Sequence, residues 1–285
     1  DFDDTGALLV DRPDAPTAAF ETAARRAGEG AIRLDGRAAR DLVPDLGPDV
    51  EGFLFMPGEH RVDNRRVLEA LGRVVEGAGV TLRRGRTLRR LVPGASGVRA
   101  EADGHSTSAG AAVICAGAWT SEVSGVQAPP VHPVKGQMLR FAAVDWPLSG
   151  CLRAGHFYAA RRRSGGLLVG ATVEPEAGFD VEVTGDGLAS LLGFTREVLP
   201  GLLTRPVVET WAGVRPGSPD GRPLIGPVND GVWVASGHYR NGVLLTPWTA
   251  RTVADWLVDG VPPDDATAAL LAPGRRGVSQ TSFQY

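Results

Sequence analysis

Residues 231–247 read GVWVASGHYRNGVLLTP. An apolar run, GVWVA, leads into a turn fenced by Gly237 and Gly242, and TARTVADWLV (249–258) leads out with helical spacing. A plain connection would carry Asp, Ser or Pro between its glycines. This turn instead gathers His238, Tyr239, Arg240 and Asn241. A short buried strand, a decorated turn and a helix together make the repeating unit of an α/β layer. The helix has two acceptable starts, Gly242 or the Thr246-Pro247 pair, and the pattern does not choose between them.

A second short apolar run, AAVICAG (111–117), has the continuous small-residue character of a strand covered on both faces. Before it, RRVLEALGRVVEGAG (65–79) repeats Val67, Leu68, Leu71, Val74 and Val75 at helical spacing and stops at Gly77 and Gly79. VTLRRGRTLRRLV (80–92) alternates as a strand does, and residues 96–110 read as a hairpin. Elsewhere the pattern changes. ALLV (7–10), PVHPVKGQMLRF (130–141) and GHFYAARRRSGGLLVGAT (155–172) read as strands of a second, more polar sheet. Helices are expected over 16–27, over 36–43 with Pro44 as the stop, and over 188–202. The last helix is expected to end near Gly260, with SQTSFQY as a frayed tail.

The expected fold class is therefore α/β with α+β character, in two interleaved units. One unit takes 59–127 and 208–272, the other 1–58 and 128–207, and 273–285 form a tail. A cleft at such a boundary is where ligands tend to bind.

Composition narrows the function classes. With 43% hydrophobic and 22% charged residues, the 285-residue chain is an ordinary globular one. A net charge of −3 gives no basic field for nucleic acid or an anionic membrane. Cations are almost all arginine, Lys135 being the single lysine, so Arg83-Arg84 and Arg161-Arg162-Arg163 are expected to be solvated. Cys115 and Cys151 form no framework, and the scattered histidines offer no metal spacing, so no metal is expected. No run approaches the about 18 apolar residues of a membrane span, and no signal peptide is visible, which points to the cytoplasm.

Motif searches mostly return ordinary structure. GDGLAS (185–190) approaches a dinucleotide fingerprint, but Ser190 replaces the last glycine and Asp186 would face a pyrophosphate with like charge, so it reads as a strand-to-helix turn. No G-x-S-x-G elbow is present. Five segments nevertheless stand in one order: ICAGAWTSEV (114–123), HPVKGQMLRF (132–141), SGGLLVGATVEP (164–175), ETWAGVRPGSPDGRPLIGPV (209–228) and SGHYRNGVLLTP (236–247). Together with DTGALLV and EGFLFMPGEHRVDNRRVLEAL near the start, this series resembles the glycine oxidase branch of the D-amino-acid oxidase and sarcosine oxidase superfamily of flavoenzymes. The likeness runs over nearly all of the chain except its tail.

The resemblance implies an FAD-binding α/β domain interleaved with a mixed-sheet substrate domain. Since the chain opens on DFDDTGALLV without methionine and shows no glycine-rich βαβ unit, the FAD domain is expected to be incomplete at its N-terminus. By the same resemblance Arg215 takes the substrate carboxylate, Tyr158 hydrogen-bonds it and Arg240 stands beside the substrate. Cofactor contacts fall to His238, Tyr239, Arg240, Asn241, Gly242, Val243 and Leu244, with Leu88 by the adenine half and Gly117 allowing close backbone approach. Covalent relatives carry a cysteine near the position of Trp211, so the FAD is expected to be non-covalent; Val173 stands where some relatives have a longer Met. The implied reaction is oxidative deamination of glycine, sarcosine or a similar small amino acid by hydride transfer to flavin, yielding an imino acid, then an oxo acid with ammonia or an amine, and hydrogen peroxide. No side chain is assigned as base. Thiamine thiazole synthesis is the route such a product would feed. Expected partners are a small amino acid and dioxygen, with no nucleic acid or membrane and self-association left open. Two other readings stand beside this one: a non-catalytic relative that binds a carboxylate, and a D-amino acid or proline dehydrogenase of the same superfamily.

Overall fold

The computed structural model describes residues 2–11, 17–127, 129–148, 150–162 and 165–275. The chain begins β1 (Phe2–Asp3), β2 (Ala7–Val10), α1 (Ala18–Ala27), β3 (Ile32–Leu34), α2 (Gly36–Leu42), β4 (Phe53–Met56) and β5 (Arg61–Val62). It continues α3 (Asn64–Gly77), β6 (Leu88–Gly94), β7 (Gly97–Ala102), β8 (His105–Ala109) and β9 (Ala112–Ile114). Then come β10 (His132–Phe141), β11 (Cys151–Ala154), β12 (Phe157–Arg161), β13 (Leu167–Gly170) and α4 (Gly185–Val198). The chain closes with β14 (Val207–Gly217), β15 (Leu224–Asn229), β16 (Val232–Ser236), α5 (Gly242–Leu257) and α6 (Asp265–Leu271).

An eight-stranded mixed sheet, ordered β14-β10-β13-β12-β11-β2-β4-β3, is antiparallel except where β11 meets β2. Alternation along β10 puts Lys135, Gln137, Leu139 and Phe141 on one face and Val134, Gly136, Met138 and Arg140 on the other. On the first face, Leu139, Phe141, Leu167, Val169, Leu152 and Leu8 meet Leu191, Phe194 and Val198 of α4 in the main core. Thr184 starts α4 by accepting from the Gly187 N–H, and Gly187 lies against Gln137 so closely that a Cβ there would overlap the amide. An antiparallel β1–β5 pair and two three-stranded layers complete the architecture. A three-stranded sheet, β15-β16-β9, has β9 parallel to β16, and a meander, β6-β7-β8, shares with it the cluster of Leu91, Val98, Ile114, Val232 and Val234.

The mixed α/β architecture and most elements match the sequence reading, including the hairpin β7–β8 and the helix α3. Several expectations need correction. Residues 80–87 are not strand, because no described strand lies beside them to accept a ladder, and Val80 and Leu82 stay exposed. AAVICAG is not covered on both faces: β9 is an edge with one lateral neighbour, and only Ile114 of its residues is buried. The strand expected before GDGLAS is absent, and the stretch is not a turn: residues 185–190 are the start of α4 itself. Arg161 and Arg162 are not solvated. Arg161 donates to the Trp146 carbonyl, and Arg162 pairs with Asp63 at 3.1 Å with both side chains mostly buried. Arg163 and the SQTSFQY tail lie outside the described residues. The last helix after α5 was unexpected: Asp264 caps α6 through the Thr267 N–H. The boundary placed at 207/208 falls at the start of β14, which pairs along its length with β10.

Candidate active site

The site is built on the face of the sheet opposite α4. Register places Gly213 across from Gly136, Trp211 across from Met138, and Met138 and Tyr158 on either side of Gly170. Three glycines on neighbouring strands make the floor: the Met138 side chain lies over Gly170, Gly213 is open, and Trp211 and Tyr158 stand beside them. Arg215, on the same face of β14, folds across Gly136, where a Cβ would overlap its guanidinium. Its Nη1 donates to the Lys135 carbonyl at 3.3 Å and to the Thr172 carbonyl at 3.2 Å. No carboxylate among the described residues forms an ion pair with it. Burial lowers the Arg215 pKa from its ordinary value, with Tyr239, Arg240 and Tyr158 inside its electrostatic range. A largely desolvated guanidinium that has spent one nitrogen on carbonyls keeps a two-donor edge, Nε and Nη2, for a planar anion.

Tyr158 closes the opposite wall. Burial raises its phenol pKa, so the hydroxyl is a neutral donor, and it points to Met138 Sδ at 3.6 Å. Arg240 donates from Nη2 to the His156 carbonyl at 3.1 Å and is otherwise exposed. The loop that carries Arg240 is tied to the end of β14 because the Tyr239 N–H donates to the Pro216 carbonyl at 2.9 Å. Tyr239 adopts φ +50, a left-handed conformation that L residues seldom take outside turns of this kind. His238 shares a 3.0 Å hydrogen bond with Thr249 in the second turn of α5, and burial depresses its pKa.

The helix α5 begins at Gly242, which decides between the two starts; Pro247 falls inside it. Asn241 makes no side-chain cap, so the first-turn N–H groups of Gly242, Val243 and Leu244 have neither an intrahelical carbonyl nor a capping oxygen. Gly117 joins them. Thr120 Oγ1 donates to Ser236 Oγ at 2.8 Å, and Ser236 Oγ donates to the Gly117 carbonyl at 3.0 Å, locking the end of β16 to the short 3-10 helix 117–122. Gly117 has φ +56 with open space where a Cβ would point. Leu88 stands apart, half-buried at the start of β6 against the second cluster. Uncapped donors at a helix start suit the pyrimidine end of a flavin, where negative charge collects on reduction. The residues present thus fit an FAD. Among the described residues no group of His, Cys, Asp and Glu is arranged to hold a metal.

Comparison with known proteins decides the family. The model of the FAD dependent oxidoreductase family matches residues 1–256. The chain belongs to that family. It is 39% identical over 253 residues to a protein named glycine oxidase from Pseudomonas putida, covering 86% of this chain and 68% of that one. A bifunctional protein ThiO/ThiG from Synechocystis is 35% identical over 248 residues, 84% of this chain and 37% of that one. Among solved structures, glycine oxidase from Geobacillus kaustophilus superposes with a TM-score of 0.87 at 28% identity, covering 96% of this chain and 76% of that one. In this family the cofactor is FAD.

Arg215 and Tyr158 lie within electrostatic range of each other and both of Arg240, Arg215 also of Tyr239, and Gly117 is tied to the end of β16 beside the turn 236–242. The sequence reading attached no role to Lys135, Gly136, Gln137, Thr172 or Glu174, all of which surround the back of Arg215. A signal was present: a lysine and a glutamine two positions apart in an otherwise core-facing strand, with glycine between.

Proposed function

We propose that this chain forms the substrate-binding and flavin-facing part of an FAD-dependent oxidase of glycine or a similarly small amino acid such as sarcosine. The observation that carries this reading is Arg215 lying over Gly136 with its Nε and Nη2 edge unused, beside Tyr158 and above a floor of glycines. A carboxylate on that edge leaves the substrate α-carbon among Met138, Trp211 and Tyr158 with only Gly213 uncovered beneath it, which suits a substrate with little or no side chain of its own. Tyr158 adds a neutral donor to the same carboxylate, and Arg240 borders the open side. FAD, when bound, supplies the acceptor for a hydride from the α-carbon and passes the electrons to dioxygen as hydrogen peroxide. Hydrolysis then yields an oxo acid with ammonia, or with an amine from sarcosine. The loop 237–244 supplies backbone donors to the flavin, and Leu88 lies toward its adenine half. No protein base is assigned.

Attachment of the flavin is non-covalent in this reading: Trp211 occupies the position of the cysteine in covalent relatives, and burial raises the Cys151 thiol to about 11, leaving no thiolate near neutrality. The reading keeps the two-unit division, 59–127 with 208–272 around the cofactor and 1–58 with 128–207 beneath the substrate, with β14 reaching across. It also keeps a cytoplasmic setting and a product that feeds thiamine thiazole synthesis. Anaerobic addition of glycine to the flavin-loaded protein is expected to bleach the flavin's visible band, whereas ethylamine, which lacks the carboxylate, is not. Bleaching by neither, or equally by both, contradicts the reading.

A further inference from the structure

Behind the glycine floor lies a polar cluster with no direct part in the chemistry above. Lys135 and Gln137 point away from the site while Gly136 between them faces Arg215. Both side chains enter the face of β10 that Leu139 and Phe141 use for the core, and they are 1% and 0% exposed. Burying an ammonium and an amide there costs free energy unless partners satisfy them. Every partner comes from one segment, 172–184. Lys135 Nζ lies 2.6 Å from Asp180 and 3.8 Å from Glu174. Gln137 Nε2 donates to both Glu174 oxygens at 2.9 and 3.1 Å and to Thr184 Oγ1 at 2.9 Å, while its Oε1 accepts from the Thr184 N–H at 2.9 Å. The Thr172 hydroxyl accepts from the Gln137 N–H at 2.8 Å and donates to Glu174.

This segment also holds the arginine. Its Thr172 carbonyl is one of the two that grip Arg215 Nη1; the other belongs to Lys135, whose N–H and C=O exchange hydrogen bonds with Glu174 at 3.2 and 3.0 Å. We propose that Thr172, Glu174 and Gln137 act as a positioning unit for Arg215, fixing from behind the sheet the carbonyl pair that aims its free edge at a substrate carboxylate. The proposal rests on the carboxylate role of Arg215 given above. Removing the Thr172 hydroxyl strands the buried Gln137 N–H and takes one donor away from the Glu174 carboxylate, so residues 172–174 shift and Nη1 loses its aligned carbonyl. A displacement of that kind weakens carboxylate binding without touching the reacting atoms.

The test uses flavin-loaded protein with Thr172→Val, Thr172→Ser and Arg215→Leu. KM and kcat for glycine are read from peroxide release, the Kd of glycolate from the flavin absorbance change, and folding from the thermal midpoint. Thr172→Val is expected to raise KM and Kd together by about five- to tenfold, the size of one lost buried hydrogen bond, with kcat within about twofold. Thr172→Ser, which keeps the hydroxyl, is expected to return both toward the parent. If Arg215→Leu weakens glycolate and Thr172→Val does not, the positioning role falls alone. It also falls if Val and Ser lose KM, kcat and flavin alike, which marks a purely structural residue. If Arg215→Leu binds glycolate as the parent does, the carboxylate role fails and this proposal with it. Should Thr172→Val not fold, Glu174→Gln carries the same expectation of a rise confined to KM and Kd, and parental constants in it overturn the proposal.

Discussion

Gly136 determines how closely Arg215 lies on the sheet, since its missing Cβ is the space that the guanidinium fills. Gly136→Ala is therefore expected to lift the guanidinium off the Lys135 and Thr172 carbonyls. The expected outcome is a rise in KM for glycine of about tenfold, the scale of a misplaced binding group, with a thermal midpoint close to the parent's. A KM equal to the parent's in a well-folded variant contradicts the packing described. Arg215 itself was legible in the sequence because WAGVRPGSPDG sits in a recognisable series. The part played by Gly136 was not, because it depends on which strand lies beside β10. A glycine in a strand signals close approach by something, and the register with β14 supplies the identity.

At the scale of elements, two helix starts carry separate expectations. Asp63 caps α3 by accepting from the N–H groups of Arg65 and Arg66, and it is also the ion-pair partner of the mostly buried Arg162. Asp63→Ala removes the cap and leaves a cation without its counter-charge, and is expected to cost about 3 kcal/mol in urea unfolding. A loss near zero contradicts the pairing. At α5, burial depresses the His238 pKa, so the unfolded chain takes up a proton at a higher pH than the folded one. The stability this contributes is complete above the ordinary imidazole pKa, about 6.5, and is lost as pH falls from there through the depressed folded value. His238→Gln is expected to flatten the fall of the thermal midpoint below about pH 6.5, and an unchanged profile contradicts it. The turn before α5 showed its importance through its composition. Its helix start was ambiguous because both Gly242 and Thr246-Pro247 satisfy local rules; the helix starts at Gly242, just after a turn held by the tertiary bond from Tyr239 to Pro216.

Across the whole molecule, the eight-stranded sheet is closed on one face by α4, while its other face carries the glycine floor, Arg215 and Tyr158. The helices α3 and α5 are different. No residue of α3 is buried, Leu68 being 72% exposed, and Leu244 of α5 is 78% exposed. Helical spacing was enough to recognise α3, yet periodicity reports that an apolar stripe exists and not what covers it. The same limit explains residues 80–87, whose alternation is real but finds no neighbouring strand among the described residues. The family was legible because several short motifs keep a common order, whereas the network of Lys135, Gln137, Thr172 and Glu174 is a product of packing between segments that the sequence separates. Everything proposed of the site depends on Arg215 binding the carboxylate of a small amino acid for oxidation by FAD. The most direct test of that binding is the KM for glycine, by peroxide release, of flavin-loaded Arg215→Leu against the parent. Loss of a two-donor charged contact predicts a KM at least about 30-fold higher with flavin content unchanged. A KM and kcat equal to the parent's would contradict it.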